Sequence, residues 1–150
     1  MTSAADHSAL PRPASLGTLV ALLIVAVGLS YAAGMRLGPV ITPEAPGIQA
    51  GAMWGAASVA LGALVGLVMV IPPSIRMPGR LGMGVLIASG ARLLFMLGMA
   101  VVVLMLLKPA GGALFGAVGC GGVLCIIFEA AWATGYLRRV SKVRPGALLA

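Results

Sequence analysis

The chain has 150 residues, 61% of them hydrophobic and only 9% charged. Soluble domains carry about a quarter charged residues, so this composition excludes an ordinary soluble domain and belongs to an integral membrane protein. The formal charge of +7 does not indicate nucleic acid, because the basic residues flank apolar runs instead of clustering on one polar domain.

Residues 1–15 are polar and include Pro11 and Pro13, which predicts a short disordered N-tail. Arg12 precedes the first apolar run, residues 16–34. A signal peptide competes with a retained helix here, because a basic residue precedes an apolar run ending in small residues. The run exceeds a usual signal core, and Ala32-Ala33-Gly34 is a weak cleavage cue, so a retained first helix is expected. Arg36 to Ala50 holds Pro39, Pro43, Pro46, Gly38 and Gly47, residues that break helices and predict an irregular loop. The second helix is expected over residues 51–71, stopped by Pro72-Pro73. A short loop containing Arg76, Pro78 and Arg80 follows.

The third helix, residues 82–107, has one charge, Arg92, near its middle. A central arginine costs roughly 3 kcal/mol on insertion scales. Fourteen Leu, Ile, Val and Phe side chains in the 81–107 stretch oppose it, together worth roughly 4–8 kcal/mol. The segment therefore inserts, and Arg92 needs a partner or a wet path. Lys108-Pro109 and an Ala110-Gly111-Gly112 link separate it from a fourth helix over residues 113–137, and residues 138–150 form a basic tail. The expected fold is an all-α, integral membrane four-helix bundle with short connections.

Positive charge marks the cytoplasmic side. With four spans, the N-tail, the second loop and the C-tail share one side, which holds Arg12, Arg76, Arg80, Arg138, Arg139, Lys142 and Arg144. The other side holds Arg36 and Lys108. Both termini are expected in the cytoplasm of a bacterium, with the spans in its inner (plasma) membrane. The tail arginines and lysine set topology and touch anionic membrane lipid, each adding about 1 kcal/mol. Tyr31 and Trp54 are expected at the outer interface, Trp132 and Tyr136 at the inner one.

Helices in lipid associate through small residues that allow close backbone approach. The second helix offers Gly51, Gly55, Ser58, Gly62 and Gly66 on one face, the third Gly84, Ala88, Ala91 and Gly98, and the fourth Gly112, Gly116 and Gly119. Such stripes serve packing inside the bundle or contact with another protein. The 22 glycines exceed what internal packing needs, which leaves room for a homo-oligomer or partner helix. The Gly119–Gly122 region is also a place where the fourth helix can bend.

Glu129 is the second intramembrane charge. It lies about 13 Å from the cytoplasmic end by helical rise, and Arg92 about 18 Å. The third and fourth helices are antiparallel neighbours, so an Arg92–Glu129 ion pair, direct or through water, is expected. Three uses remain open: a pair that fixes helix register, an Arg92 that meets a partner's carboxylate, and a proton or ion path.

Little else in the chain carries chemistry. Three acids, one histidine in the N-tail (His7) and no phosphate-binding loop point away from an enzyme, a metal site, a cofactor and nucleic acid. Cys120 and Cys125 lie inside an apolar run and read as small packing residues. Glu44 sits in a proline-rich loop without a visible partner.

The stretch Ala88-Ser89-Gly90-Ala91-Arg92-Leu93, together with the small-residue face from Gly51 to Gly66, resembles the ATP synthase protein I family, small accessory membrane subunits of bacterial F-type ATP synthases. The resemblance covers the layout of residues 16–137 and is residue-specific only around Arg92. The loop from Arg36 to Ala50 is longer than that family's, and Glu129 is additional to its pattern. The resemblance implies four helices, a cytoplasmic N-tail and a helper in assembling the rotor ring of proton-carrying subunits, with Arg92 engaging a ring carboxylate. Rotor-ring subunits are then the implied partners. A small transporter or channel component using Arg92 and Glu129, and a membrane scaffold, are the other readings the residues leave open.

Overall fold

The computed structural model describes residues 14–43, 46–76 and 81–143. Four helices make up the fold: α1 Ala14–Ile41, α2 Ile48–Arg76, α3 Leu81–Leu107 and α4 Gly111–Val143. Each contains a stretch of 22 to 25 residues long and apolar enough to cross a membrane, so the chain is a multi-pass, all-α bundle. The N-tail with His7 and Arg12, Glu44, Pro78, Arg80 and the C-tail from Arg144 lie outside the described residues, as do the side chains of Arg76, Tyr136 and Lys142.

The helices run further than their breakers suggest. Pro39 lies inside α1, which continues to Ile41, so the connection expected over residues 36–50 shrinks to a short turn before Ile48. A proline removes one i→i−4 bond, but here it faces outward. Gly34 and Gly38 on the same segment pack against Ala113, and the Thr42 N–H and hydroxyl both donate to the Gly38 carbonyl, at 2.9 and 3.1 Å. Helix α2 passes through Pro72-Pro73 to Arg76 instead of stopping at residue 71. Helix α4 begins at Gly111 rather than 113 and reaches Val143, so Arg138, Arg139 and Lys142 extend the helix and are not part of an irregular tail. Between α3 and α4, Lys108 adopts φ 46°, the left-handed conformation that closes a helix, and Pro109 prevents its continuation.

In cross-section the bundle is a diamond. Helices α2 and α4 form its short diagonal, while α1 and α3 flank them and barely meet. The core contains Leu19, Leu23, Val59, Met96, Leu114 and Val118. A smaller cluster of Ala52, Ala110 and Ala113 closes the α3–α4 turn end.

Glycines set the close approaches. Gly51 and Gly55 on α2 face the backbone of Ala110 and Leu114, whereas Gly62 and Gly66 face Met96 and Arg92. The single stripe of α2 thus serves two neighbours in turn. Ser58 between them is buried and donates to the Trp54 carbonyl at 2.9 Å, which satisfies its hydroxyl within its own helix. On α3, Ala88 is buried and Gly84 and Ala91 are half-buried. Gly112 and Gly116 face Ile41 and Leu37 of α1.

Two expected packing glycines do not pack: Gly98 and Gly119 have open space where a side chain would be. Both keep a small-residue spacing but lie on the outer side of their helices, because the buried face of α3 follows Arg92, Met96, Ala100 and Val103. Gly121 and Gly122 face inward instead, toward Val59 and Leu93, and α4 is one continuous helix through them. Trp132 is 8% exposed and belongs to the core.

A Cβ on Gly121 would come within 2.6 Å of Val59 Cγ2 and 2.8 Å of Ser30 Cβ. Gly121→Leu is therefore expected to destabilise the bundle by at least about 1–3 kcal/mol through overpacking. Gly119→Leu is expected to stay within about 0.5 kcal/mol. Thermal melting of both variants in detergent compares them directly, and equal losses would contradict the assigned rotation of α4.

Candidate functional site

Arg92 sits on α3 four residues after Ala88 and four before Met96, all three buried on one face. Glu129 sits on α4 four residues after the buried Cys125 and four before the buried Ala133. Both charges are about 1% exposed. The Arg92 Nη2 group donates to Glu129 Oε1. The other carboxylate oxygen, Oε2, accepts from Ser89 Oγ at 3.1 Å. Ser89 lies three residues before Arg92, so one helix supplies both donors.

Helix α2 forms the opposite wall. The volume a side chain on Gly66 would fill is taken by the Arg92 guanidinium, and a Cβ on Gly62 would lie 3.1 Å from Arg92 Cγ and 2.5 Å from Met96 Cγ. The guanidinium thus lies in a trough made by two absent side chains one turn apart. Cys125 is buried next to the pair, within electrostatic reach of both members.

Chemically, the site is a closed acid–base pair in a low-dielectric interior. The attraction between the charges and the Ser89 bond offset part of the cost of removing them from water. The guanidinium is incompletely served: its Nε and Nη1 groups have no hydrogen-bond partner among the described residues. No group of three or more His, Cys, Asp or Glu side chains that could hold a metal occurs among the described residues. Cys120 and Cys125 are both free thiols, the first half-buried and the second buried.

The structure brings Arg92 and Glu129 together and places Gly62 and Gly66 around them. Arg138 and Arg139 are exposed at the far end of α4, away from this site. Ser89, which joins the pair by donating to Glu129, was legible only as part of the stretch around Arg92. Its spacing of three from the arginine is the signal that identifies it. The spacing of four between Cys125 and Glu129 similarly places that thiol beside the carboxylate. No family model, curated protein or solved structure matches the chain.

Proposed function

We propose that this protein is a small, non-enzymatic accessory protein of the bacterial inner membrane that helps assemble the rotor ring of an F-type ATP synthase. One observation carries the reading. The two stretches that resemble the ATP synthase protein I family, Ala88–Leu93 on α3 and the Gly51–Gly66 face of α2, meet each other at Arg92. They act as one unit that holds a cation inside hydrocarbon. Positive charge at the Arg76 and Arg138–Lys142 end supports cytoplasmic termini.

Arg92 spends its charge on Glu129, so it does not reach a ring carboxylate in this arrangement. Partner contact falls to the outer faces, where Leu86, Leu94 and Leu106 of α3 are at least 75% exposed. Purification in mild detergent from its own membranes tests the reading: co-elution with rotor-ring or other synthase subunits is expected. Absence of every synthase subunit, with ring assembly normal in cells lacking the protein, overturns it.

A second reading has its own support. The Nε and Nη1 groups of Arg92, without a hydrogen-bond partner among the described residues, suit an ion or water path, as in a transporter or channel component. Ion flux through liposomes containing this protein alone, abolished by Arg92→Ala, favours that reading over the first.

A further inference from the structure

Near its C-terminal end, helix α1 presents two opposite faces. One packs: Gly34 and Gly38 lie against Ala113 of α4, Leu37 against Gly116 and Ile41 against Gly112. The other looks outward. Met35, Arg36 and Pro39 are all exposed there, and residues three and four apart on a helix are surface neighbours. The helix and its apolar span end together at Ile41, so Arg36 lies five residues, about 7.5 Å, below that end. A long arginine side chain covers such a distance and carries its charged head to the membrane surface.

Two polar groups on this face call for partners that α1 does not supply. Arg36 has no ion-pair partner among the described residues, and α1 contains no acidic residue. Pro39 lies inside the helix and has no N–H, so the Met35 carbonyl lacks the donor that the residue four places on supplies in a helix. A backbone carbonyl turned toward lipid has to find a donor elsewhere. One turn of α1 therefore shows a permanent cation, which takes an oxyanion, beside a carbonyl oxygen, which takes an N–H or O–H. A phosphoethanolamine headgroup carries both complements: a phosphate, which arginine binds well, and an ammonium with N–H donors. A phosphocholine headgroup has the same two charges and no N–H.

We propose that the outward face of α1 at Met35, Arg36 and Pro39 binds the headgroup of phosphatidylethanolamine from the leaflet at the α1–α2 turn. Arg36 donates to the phosphate, and the ammonium donates to the Met35 carbonyl.

Native mass spectrometry of the full chain in mild detergent tests this, with phosphatidylethanolamine and phosphatidylcholine of identical acyl chains added in equal amounts. A preference of about fivefold for phosphatidylethanolamine is expected, the effect of one hydrogen bond. Pro39→Ala returns a helical donor to the Met35 carbonyl and should bring the two lipids to equal retention. Arg36→Gln should lose most of both adducts, while Arg139→Gln, exposed at the far end of α4, should keep the preference. An unchanged preference in Pro39→Ala overturns the carbonyl contact, and adducts kept in Arg36→Gln overturn the site. Phosphatidylglycerol retained more than phosphatidylethanolamine by the unsubstituted chain overturns the ethanolamine assignment.

Should Arg36→Gln fail to fold, the headgroup itself decides. Dimethylated phosphatidylethanolamine keeps one N–H and should be retained like the parent lipid, with the loss falling at the third methyl group. An even decline across the methylation series, or none, would sink the proposal.

Discussion

Glu129→Leu is expected to be the most damaging single substitution in this chain, and Arg92→Leu a milder one. Breaking a buried ion pair from one side costs about 3–5 kcal/mol, because the remaining charge stays buried without compensation. The two sides differ in their escape. Without Arg92, Glu129 keeps the bond from Ser89 Oγ, which lies 3.1 Å from its Oε2. A guanidinium cannot lose its proton in a protein, and Arg92 is 1% exposed, so without Glu129 it must drag water in or pull α3 out of register.

The double variant Arg92→Leu/Glu129→Leu should recover most of the loss, since apolar replacements of a buried pair are often neutral or better. Folded yield in membranes and melting temperature in detergent measure all three. A double variant as poor as Glu129→Leu would show that the pair is not the source of the effect. A double variant that folds but loses the proposed co-elution with synthase subunits would show that the pair does more than hold register.

The second large effect is expected at Gly66. A methyl group there would collide with the guanidinium itself, which is already fixed by Glu129 and so cannot swing aside. Gly66→Ala is expected to destabilise by about 1–3 kcal/mol from overpacking, and by more if the ion pair opens. In an Arg92→Leu/Glu129→Leu background the obstacle is gone, and the same substitution should become nearly neutral, with the helix gaining from alanine's better propensity. Gly98→Ala, on open space, should be neutral in both backgrounds. Equal costs of Gly66→Ala in the two backgrounds would show that the trough does not serve the arginine.

The four spans could be read from the sequence because bilayer thickness demands runs of about 20 apolar residues, and such runs are unmistakable here. The depth match between Arg92 and Glu129 was also legible, since helical rise converts residue counts into distance. Helix ends were not. Breaker rules weigh lost backbone bonds, but at Pro39 the packing of Gly34 and Gly38 onto α4 outweighs one lost bond. Helix rotation was the second gap. Each of these helices is apolar nearly all round, so no polar face announces which side is inward. Small-residue spacing alone then gathered Gly98 and Gly119, which face open space, into stripes whose other members pack. The sequence did reveal which way a helix turns on α2, where Gly51, Gly55, Ser58, Gly62 and Gly66 are all buried, and at Arg92 and Glu129, where a charge breaks the uniformity.

The separation of 37 residues between Arg92 and Glu129 has a consequence for biogenesis. Chains are made from the N-terminus onward, so α3 leaves the ribosome with its cation before the counter-charge exists. Helix α4, which also supplies the most extensive contact with α1, arrives after the other three. Until it does, the insertion machinery handles α1 to α3 with an uncompensated guanidinium, and delivery of α4 both neutralises that charge and closes the four-helix bundle.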